Sequence, residues 1–207
     1  MALPQRKLKY TYSDYCLWDD GKRWELIDGV PYEMSPAPTR KHQEISGALL
    51  NQLYNFLKNK PCEVYAAPFD VRLNADEDDD IVVQPDIVVV CDRSKLDDKG
   101  CKGAPDLVIE ILSPASMRMD SIIKPEKYRQ AGVREYWMVD PKTCSVWALV
   151  MNGCFCLTNY CYAKDVFSDE EKSPEKLHFT LYYTAEAPVS VLPGCVIDLK
   201  EVFLETE

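Results

Sequence analysis

The stretch Asp106-Leu107-Val108-Ile109-Glu110-Ile111-Leu112 decides how the chain folds. Five of its seven residues are aliphatic, and such a run reads as a strand buried on both faces. Side chains along a strand alternate between faces, so Asp106, Val108, Glu110 and Leu112 share one face. Glu110 then sits inside an apolar strand, where a lone carboxylate is costly unless a partner or a metal neutralises it. The same character recurs upstream. Ile81 to Cys91 is nearly continuous Val and Ile, interrupted by Gln84-Pro85-Asp86. If the two strands are neighbours, Asp86 and Glu110 converge on one hard cation such as magnesium. The plainer alternative is that each acid pairs with an Arg or Lys, or caps a strand end.

Downstream of that strand a helix runs to Ala131, with Gly132 placed as its C-cap. Asp120, Lys124, Tyr128 and Gly132 are four apart and stack on one helical face. A lysine beside two metal-binding acids can offset negative charge at a phosphorus centre or orient an attacking water. The plainer reading is an exposed Asp–Lys pair of little energetic weight. Pro125 disfavours helical geometry in the residue before it, which puts Lys124 at the helix start. Lys127, one turn on, is the substitute. Between Ser113 and Arg134 the cations Arg118, Lys124, Lys127, Arg129 and Arg134 outnumber Asp120 and Glu126. That excess suggests either a phosphate-facing edge or one solvated helix face. Glu135 to Asp140 reads as a further strand, stopped by Pro141, and Ser145 to Phe203 as short strands around a charged loop, Lys164 to Lys176.

Upstream, Asp28-Gly29 between Arg23–Ile27 and Val30–Met34 is a hairpin signal. From His42 to about Lys58 the spacing of Ile45, Leu49, Leu53, Phe56 and Leu57 describes one helix face, ended by Pro61. Glu63 to Leu73 reads as a strand, and the acidic run Asn74 to Asp80 as a solvated turn. Helix, three strands, helix and strand in that order indicate an α/β fold with a mixed sheet and flanking helices, in one domain over residues 1–207.

Composition narrows the function. Of 207 residues 46% are hydrophobic, which supplies a core and excludes wholesale disorder. The formal charge of −10, from 24 Lys+Arg and 34 Asp+Glu, counts against a protein that clamps nucleic acid through its overall field. It leaves room for a local basic patch or a metal-bridged phosphate site. No apolar run approaches the ~18 residues of a membrane span. Met1 to Lys7 lacks the apolar region of a signal peptide, so a cytoplasmic location is expected. Nine cysteines, an odd number, are then expected to be reduced and mostly buried. Cys154, Cys156 and Cys161 have no nearby histidine and the wrong spacing for structural zinc. Cys154 and Cys156 suit one face of a strand instead. No phosphate-binding glycine loop is present, and neither His42 nor His178 accompanies a nucleophile motif. Tyr136-Trp137 and the tyrosines from Tyr160 to Tyr183 read as core and interface, and short strands with exposed aromatics near the C-terminus suggest a homodimer.

Taken in order, these residues resemble the PD-(D/E)XK nuclease superfamily. Within it they resemble the bacterial restriction endonuclease family first catalogued as a domain of unknown function. The resemblance covers almost the whole chain: Trp24-Glu25-Leu26-Ile27-Asp28-Gly29, Met34-Ser35-Pro36, His42, Pro85-Asp86-Ile87 and Pro105 to Pro114. It continues through the Asp120/Lys124/Tyr128 ladder, Gly132 to Pro141, Leu192-Pro193-Gly194 and Asp198-Leu199. It implies a restriction-endonuclease-like mixed central sheet with flanking helices and extra N- and C-terminal strands, the nuclease core lying at about residues 40–141. Position by position, Asp86 matches the proline-aspartate acid and Glu110 the second metal ligand. Where the superfamily carries its lysine this chain has Leu112, and the resemblance implies a lysine displaced to Lys124. Glu25 and His42 match further polar positions that line the same cleft, and Asp106 matches as well. The implied activity is hydrolysis of phosphodiester bonds in nucleic acid, taken as DNA. The metal would be Mg, with Mn as an alternative, held by Asp86, Glu110 and a backbone carbonyl such as that of Ile111. Lys124 would align or deprotonate the water. The absent lysine at position 112 and the acidity keep a second reading open, a non-catalytic member that retains the fold as a binding or assembly module.

Overall fold

The computed structural model describes residues 8–34, 37–75, 78–151, 156–162 and 179–203. The charged loop at 164–176, Cys154 and His178 lie outside them. The first described element is a four-residue helix, α1 (Tyr12–Tyr15). Strands β1 (Trp24–Ile27) and β2 (Val30–Glu33) follow as the expected hairpin. Asp28 and Gly29 both take positive φ, 53° and 76°, the two-residue turn whose twist matches its strands. Helix α2 (Arg40–Leu57) opens at Thr39, whose hydroxyl accepts from the His42 N–H, and buries Ile45, Leu49, Leu53 and Leu57 along one side.

The next two apolar runs are each broken once. Glu63 to Leu73, expected as one strand, is β3 (Glu63–Ala66) and β4 (Asp70–Arg72), parted at Ala67-Pro68. Ile81 to Cys91 is β5 (Val82–Val83) and β6 (Ile87–Val90), parted at Gln84-Pro85-Asp86. Proline has no N–H to give a ladder, and at each break the chain leaves one sheet for another. There follow β7 (Leu96–Asp97), β8 (Gly100–Lys102), β9 (Leu107–Ile111), α3 (Lys124–Ala131), β10 (Glu135–Asp140), β11 (Ser145–Val150), β12 (Cys156–Cys161) and β13 (Phe179–Tyr183). The described chain ends with β14 (Glu186–Pro188), β15 (Val196–Asp198) and α4 (Leu199–Phe203).

A seven-stranded sheet runs β13-β12-β11-β10-β9-β6-β3, a six-stranded sheet runs β2-β1-β5-β4-β8-β7, and β14 pairs with β15. The large sheet is mixed, as expected: β9 and β10 are parallel and bridged by α3, whereas β6 is antiparallel to β9. Every residue of β9 is buried, and its alternating side chains feed two cores. Leu107, Ile109 and Ile111 join Ile45, Leu49 and Leu53 of α2 on one side. Val108 joins Val88, Tyr136 and Tyr128 of α3 on the other. Glu110 belongs by alternation to this second side.

Before α3 the chain makes a wide π-type turn at Met119–Ile123, closed by the Lys124 N–H on the Met119 carbonyl. Pro125, which has no N–H to offer, occupies the first turn of α3, so Lys124 does open the helix. Gly132 closes it with φ 93°. Tyr136 and Trp137 are fully buried, as read. Two expectations are corrected. The acidic run is anchored rather than simply solvated: Asp79 pairs with Arg72 at 2.9 Å, and Asp80 is buried and bound by Asn74 and Lys9. The cysteines are not all thiols. Cys62 and Cys91, flanking the register pair Glu63 and Val90 of β3 and β6, form a disulfide. Of the free ones among the described residues, Cys16 and Cys156 are exposed and only Cys101 and Cys195 are buried. Among the described residues no helix is long and apolar enough to cross a membrane.

Candidate active site

Sheet register brings the two acids together. Strands β6 and β9 pair Ile87 with Ile109 and Val88 with Val108, so one further step sets Asp86 opposite Glu110. The Asp86 N–H lies 3.4 Å from Glu110 Oε2. Asp86 Oδ2 accepts from the Ile111 N–H at 2.7 Å and stands 3.1 Å from His42 Nε2, delivered by the first turn of α2. The same capped turn that starts α2 therefore aims its histidine at the acid. Among the described residues Asp86 Oδ1 takes no hydrogen bond, and the buried His42 Nδ1 has no partner.

Lys124 reaches this point from the start of α3. Its Nζ is 2.8 Å from Glu25 Oε1, 2.9 Å from Glu110 Oε1 and 3.1 Å from Asp120 Oδ1. Glu25 arrives from β1 of the other sheet and also accepts the Gln84 N–H at 3.0 Å. The Tyr128 hydroxyl donates to Glu110 Oε1 at 2.9 Å, one turn beyond Lys124. Glu25, Glu110, Asp120, Lys124 and Tyr128 are all buried.

Burial pushes the Glu110 carboxyl well above its ordinary range, against the pull of Lys124, and burial likewise raises Asp120. For Lys124 burial works downward, yet Glu110, Glu25 and Asp120 together hold it well above the usual lysine value. Burial, reinforced by Glu110, raises the Tyr128 hydroxyl as well. Lys124 is therefore an ammonium and Tyr128 a neutral donor. Three carboxyl groups, Glu25, Glu110 and Asp120, surround one ammonium, and their ionised forms would leave a formal excess of two negative charges, with Asp86, met by His42, beside Glu110. Burying such an excess is unfavourable without a further positive charge. The oxygens left for it are hard donors: Asp86 Oδ1, and Glu110 Oε2 with only its 3.4 Å contact. Among the described residues no three His, Cys, Asp or Glu side chains gather as a ready metal cage. A cation here would rest on two carboxylates, backbone oxygen and water, as magnesium does in sites that keep part of its hydration.

These groups stand at the floor of a cleft of about 770 Å³ that Glu25, His42, Asp86, Glu110, Asp120 and Lys124 help to line. Asp106, a further match to the family, and Lys127, the substitute lysine, are elsewhere. Asp106 faces the other end of β9, bonded to the Cys91 N–H at 2.7 Å and to Arg134 at 2.9 Å. Lys127 pairs with Asp28 at 2.7 Å and borders a smaller cavity of about 330 Å³. The basic edge is also absent as an edge: Lys124, Lys127, Arg129 and Arg134 each hold an acid, which leaves Arg118 without a partner among the described residues. Sequence reasoning placed Asp120 and Tyr128 in the ladder without giving them a role, though their four-residue spacing from Lys124 carried the signal. Gln84, whose backbone supports Glu25, gave none.

A family model described as Uma2, putative restriction endonuclease, matches residues 11–181. The chain belongs to the Uma2 family. Among solved structures, a protein described as a putative nuclease belonging to DUF820, from Anabaena variabilis ATCC 29413, superposes with a TM-score of 0.65 at 19% identity. The match covers 93% of this chain and 97% of that one. A search of curated proteins found no match. The Uma2 chain thus has the restriction-endonuclease-like fold, in which divalent metals are the general rule, and family and fold together support a nuclease.

Proposed function

We propose that this Uma2 protein is a divalent-metal-dependent endonuclease that hydrolyses phosphodiester bonds in DNA, with Mg as its metal and Mn as a substitute. The observation that carries the reading is the single ammonium of Lys124 shared by Glu25, Glu110 and Asp120 beside the Asp86 carboxylate at the floor of an open cleft. Asp86, Glu110 and the Ile111 carbonyl are the groups that would hold the metal. Once bound, the ion polarises the phosphate and acidifies a water.

The remaining work falls to the chain's own side chains. The Ile111 N–H and His42 fix Asp86 Oδ2, which keeps Oδ1 turned to the cleft. Tyr128 and Lys124 fix Glu110 Oε1. Three carboxylates hold the Lys124 proton in place. In this reading the lysine keeps its proton and offsets negative charge as the phosphate reacts. The second reading, a non-catalytic module, draws on Leu112 standing where the superfamily carries its lysine.

Calorimetric titration with Mg or Mn, comparing the parent with Asp86→Ala and Glu110→Ala, tests the metal site. Either substitution is expected to abolish binding, and binding that survives both would remove the proposal. Cleavage of plasmid or single-stranded DNA, with Lys124→Ala as control, separates enzyme from module. The parent should cut and the variant should not.

A further inference from the structure

We propose that Tyr32, which lines the cleft together with Met34 and Met117, forms a seat for one unpaired nucleobase beside the reacting phosphate, so that the cleft takes a single strand in preference to a duplex. The proposal rests on the nuclease reading of the cleft. Tyr32 lies on β2 directly opposite Glu25 of β1. Residues so paired share a face of the sheet with their Cβ atoms ~5 Å apart. Glu25 holds Lys124 at 2.8 Å, so Tyr32 stands across the hairpin from the residue that binds the ammonium. Tyr32 is 37% exposed, and among the described residues its hydroxyl has no partner. Met117, 42% exposed, lines the cleft from the segment between β9 and α3, with Met34, Pro38 and Pro114 alongside. Large apolar groups left in water at the lip of a polar site mark a surface that something apolar covers. A nucleobase offers a π-face to such a wall whatever its identity.

Charge argues the same way. A duplex is gripped through several phosphates, commonly ~6–10 for a protein that binds tightly. Among the cations lining this cleft, Lys41 and Lys142 have no ion pair among the described residues, and Arg23 is held by Gln84 at 2.7 Å. Glu33 and Asp140 line the same cleft, and the chain carries −10 overall. Glu110 is 4% exposed, so the phosphate must descend to it. A stiff duplex keeps its backbone on the outside of a wide rod, whereas a single strand can bend a phosphate inward and lay a base on the wall.

The test is fluorescence anisotropy with the full chain and a labelled single-stranded DNA of about 12 nucleotides, within the span of single-strand sites, in chelator so that nothing is cut. A hairpin duplex and a single-stranded RNA of the same sequence compete. The single strand should bind at least about tenfold tighter than the duplex. Tyr32→Ala should weaken it by ~5- to 150-fold, the range for one stacked base, and Tyr32→Phe should leave it unchanged. Thermal melting of both variants should match the parent, because the ring is not packed away. The RNA arm decides which kind of strand supplies the base. Duplex binding as tight as single-strand binding, or a Tyr32→Ala protein that binds like the parent, overturns the seat. Tyr32-dependent binding without cleavage in Mg or Mn would sink the nuclease reading and leave the seat standing. Duplex cut as fast as single strand would do the reverse.

Discussion

Asp106 and Glu110 lie at opposite ends of one strand, on one face by alternation, and both are carboxylates with little access to water. Their surroundings differ in the count of charges. Asp106 gives one oxygen to the Cys91 N–H and the other to Arg134, so one anion meets one cation and both oxygens are filled. Glu110 shares a single ammonium with Glu25 and Asp120, and Asp86 stands beside it. A balanced pair has nothing left to recruit. An under-compensated cluster favours whatever brings positive charge or a proton. Burial alone does not separate these two acids; the ratio of acids to bases around each one does.

The widest separation of the two ends comes from Glu110→Ala against Asp106→Ala. Loss of Glu110 should lower DNA cleavage at least ~10²-fold, the scale for removing one charge-organising group at a reacting centre. Loss of Asp106 should leave cleavage within a few-fold. It should cost about 1–3 kcal/mol of stability in urea unfolding, because the Cys91 N–H loses its acceptor while the half-exposed Arg134 can turn to water. Equal losses of cleavage in both variants would erase the distinction. Next in size is Lys124→Met, which keeps the chain length and removes the only cation among three acids. Breaking a buried ion pair on one side costs about 3–5 kcal/mol. Adding Glu25→Gln should return part of that loss, since the two sites share the contact. A Lys124→Met protein as stable as the parent would mean that its ammonium compensates nothing.

Local chemistry was legible in the sequence where one element settles it. Asp28-Gly29 specifies its turn by itself, the spacing of Ile45, Leu49 and Leu53 specifies a helix face, and Pro125 places Lys124 at a helix start. What the sequence hid depends on partners far along the chain. The apolar run around Pro85 looks continuous because β5 and β6, which serve different sheets, are both buried throughout. The cations from Lys127 to Arg134 look like a patch because the acids at Asp28 and Asp106 are remote in sequence. Period two gives Asp106 and Glu110 the same face and cannot assign them different neighbours. Cys62 and Cys91 are 29 residues apart and meet because β3 pairs with β6, a register no local pattern announces. Tyr32 was not singled out, although the Asp28-Gly29 turn by itself sets it opposite Glu25 across the hairpin.

A third acid sharpens the comparison with the smallest effect. Glu135 opens β10 beside β9 and is 0% exposed, yet among the described residues it makes no ion pair. It accepts instead from Trp137 Nε1 at 2.6 Å and from the Val191 N–H at 2.8 Å. Burial raises its carboxyl above the ordinary value, and these donors only partly oppose that. A carboxyl whose pKa is higher in the folded than in the unfolded chain binds more protons when folded. Its stabilising contribution is then complete below the unfolded value and fades as pH rises through the folded one. The slope attributable to this residue cannot exceed ~1.4 kcal/mol per pH unit. Urea unfolding of the parent and Glu135→Gln across that window should show the parent losing stability relative to the variant as pH rises. Glu110 and Asp120 bend both curves in the same sense, so the difference isolates Glu135. Parallel curves would mean that the donors around Glu135 suffice to keep a buried carboxylate ionised. The charge ratio would then no longer separate Glu110 from the other acids of the sheet.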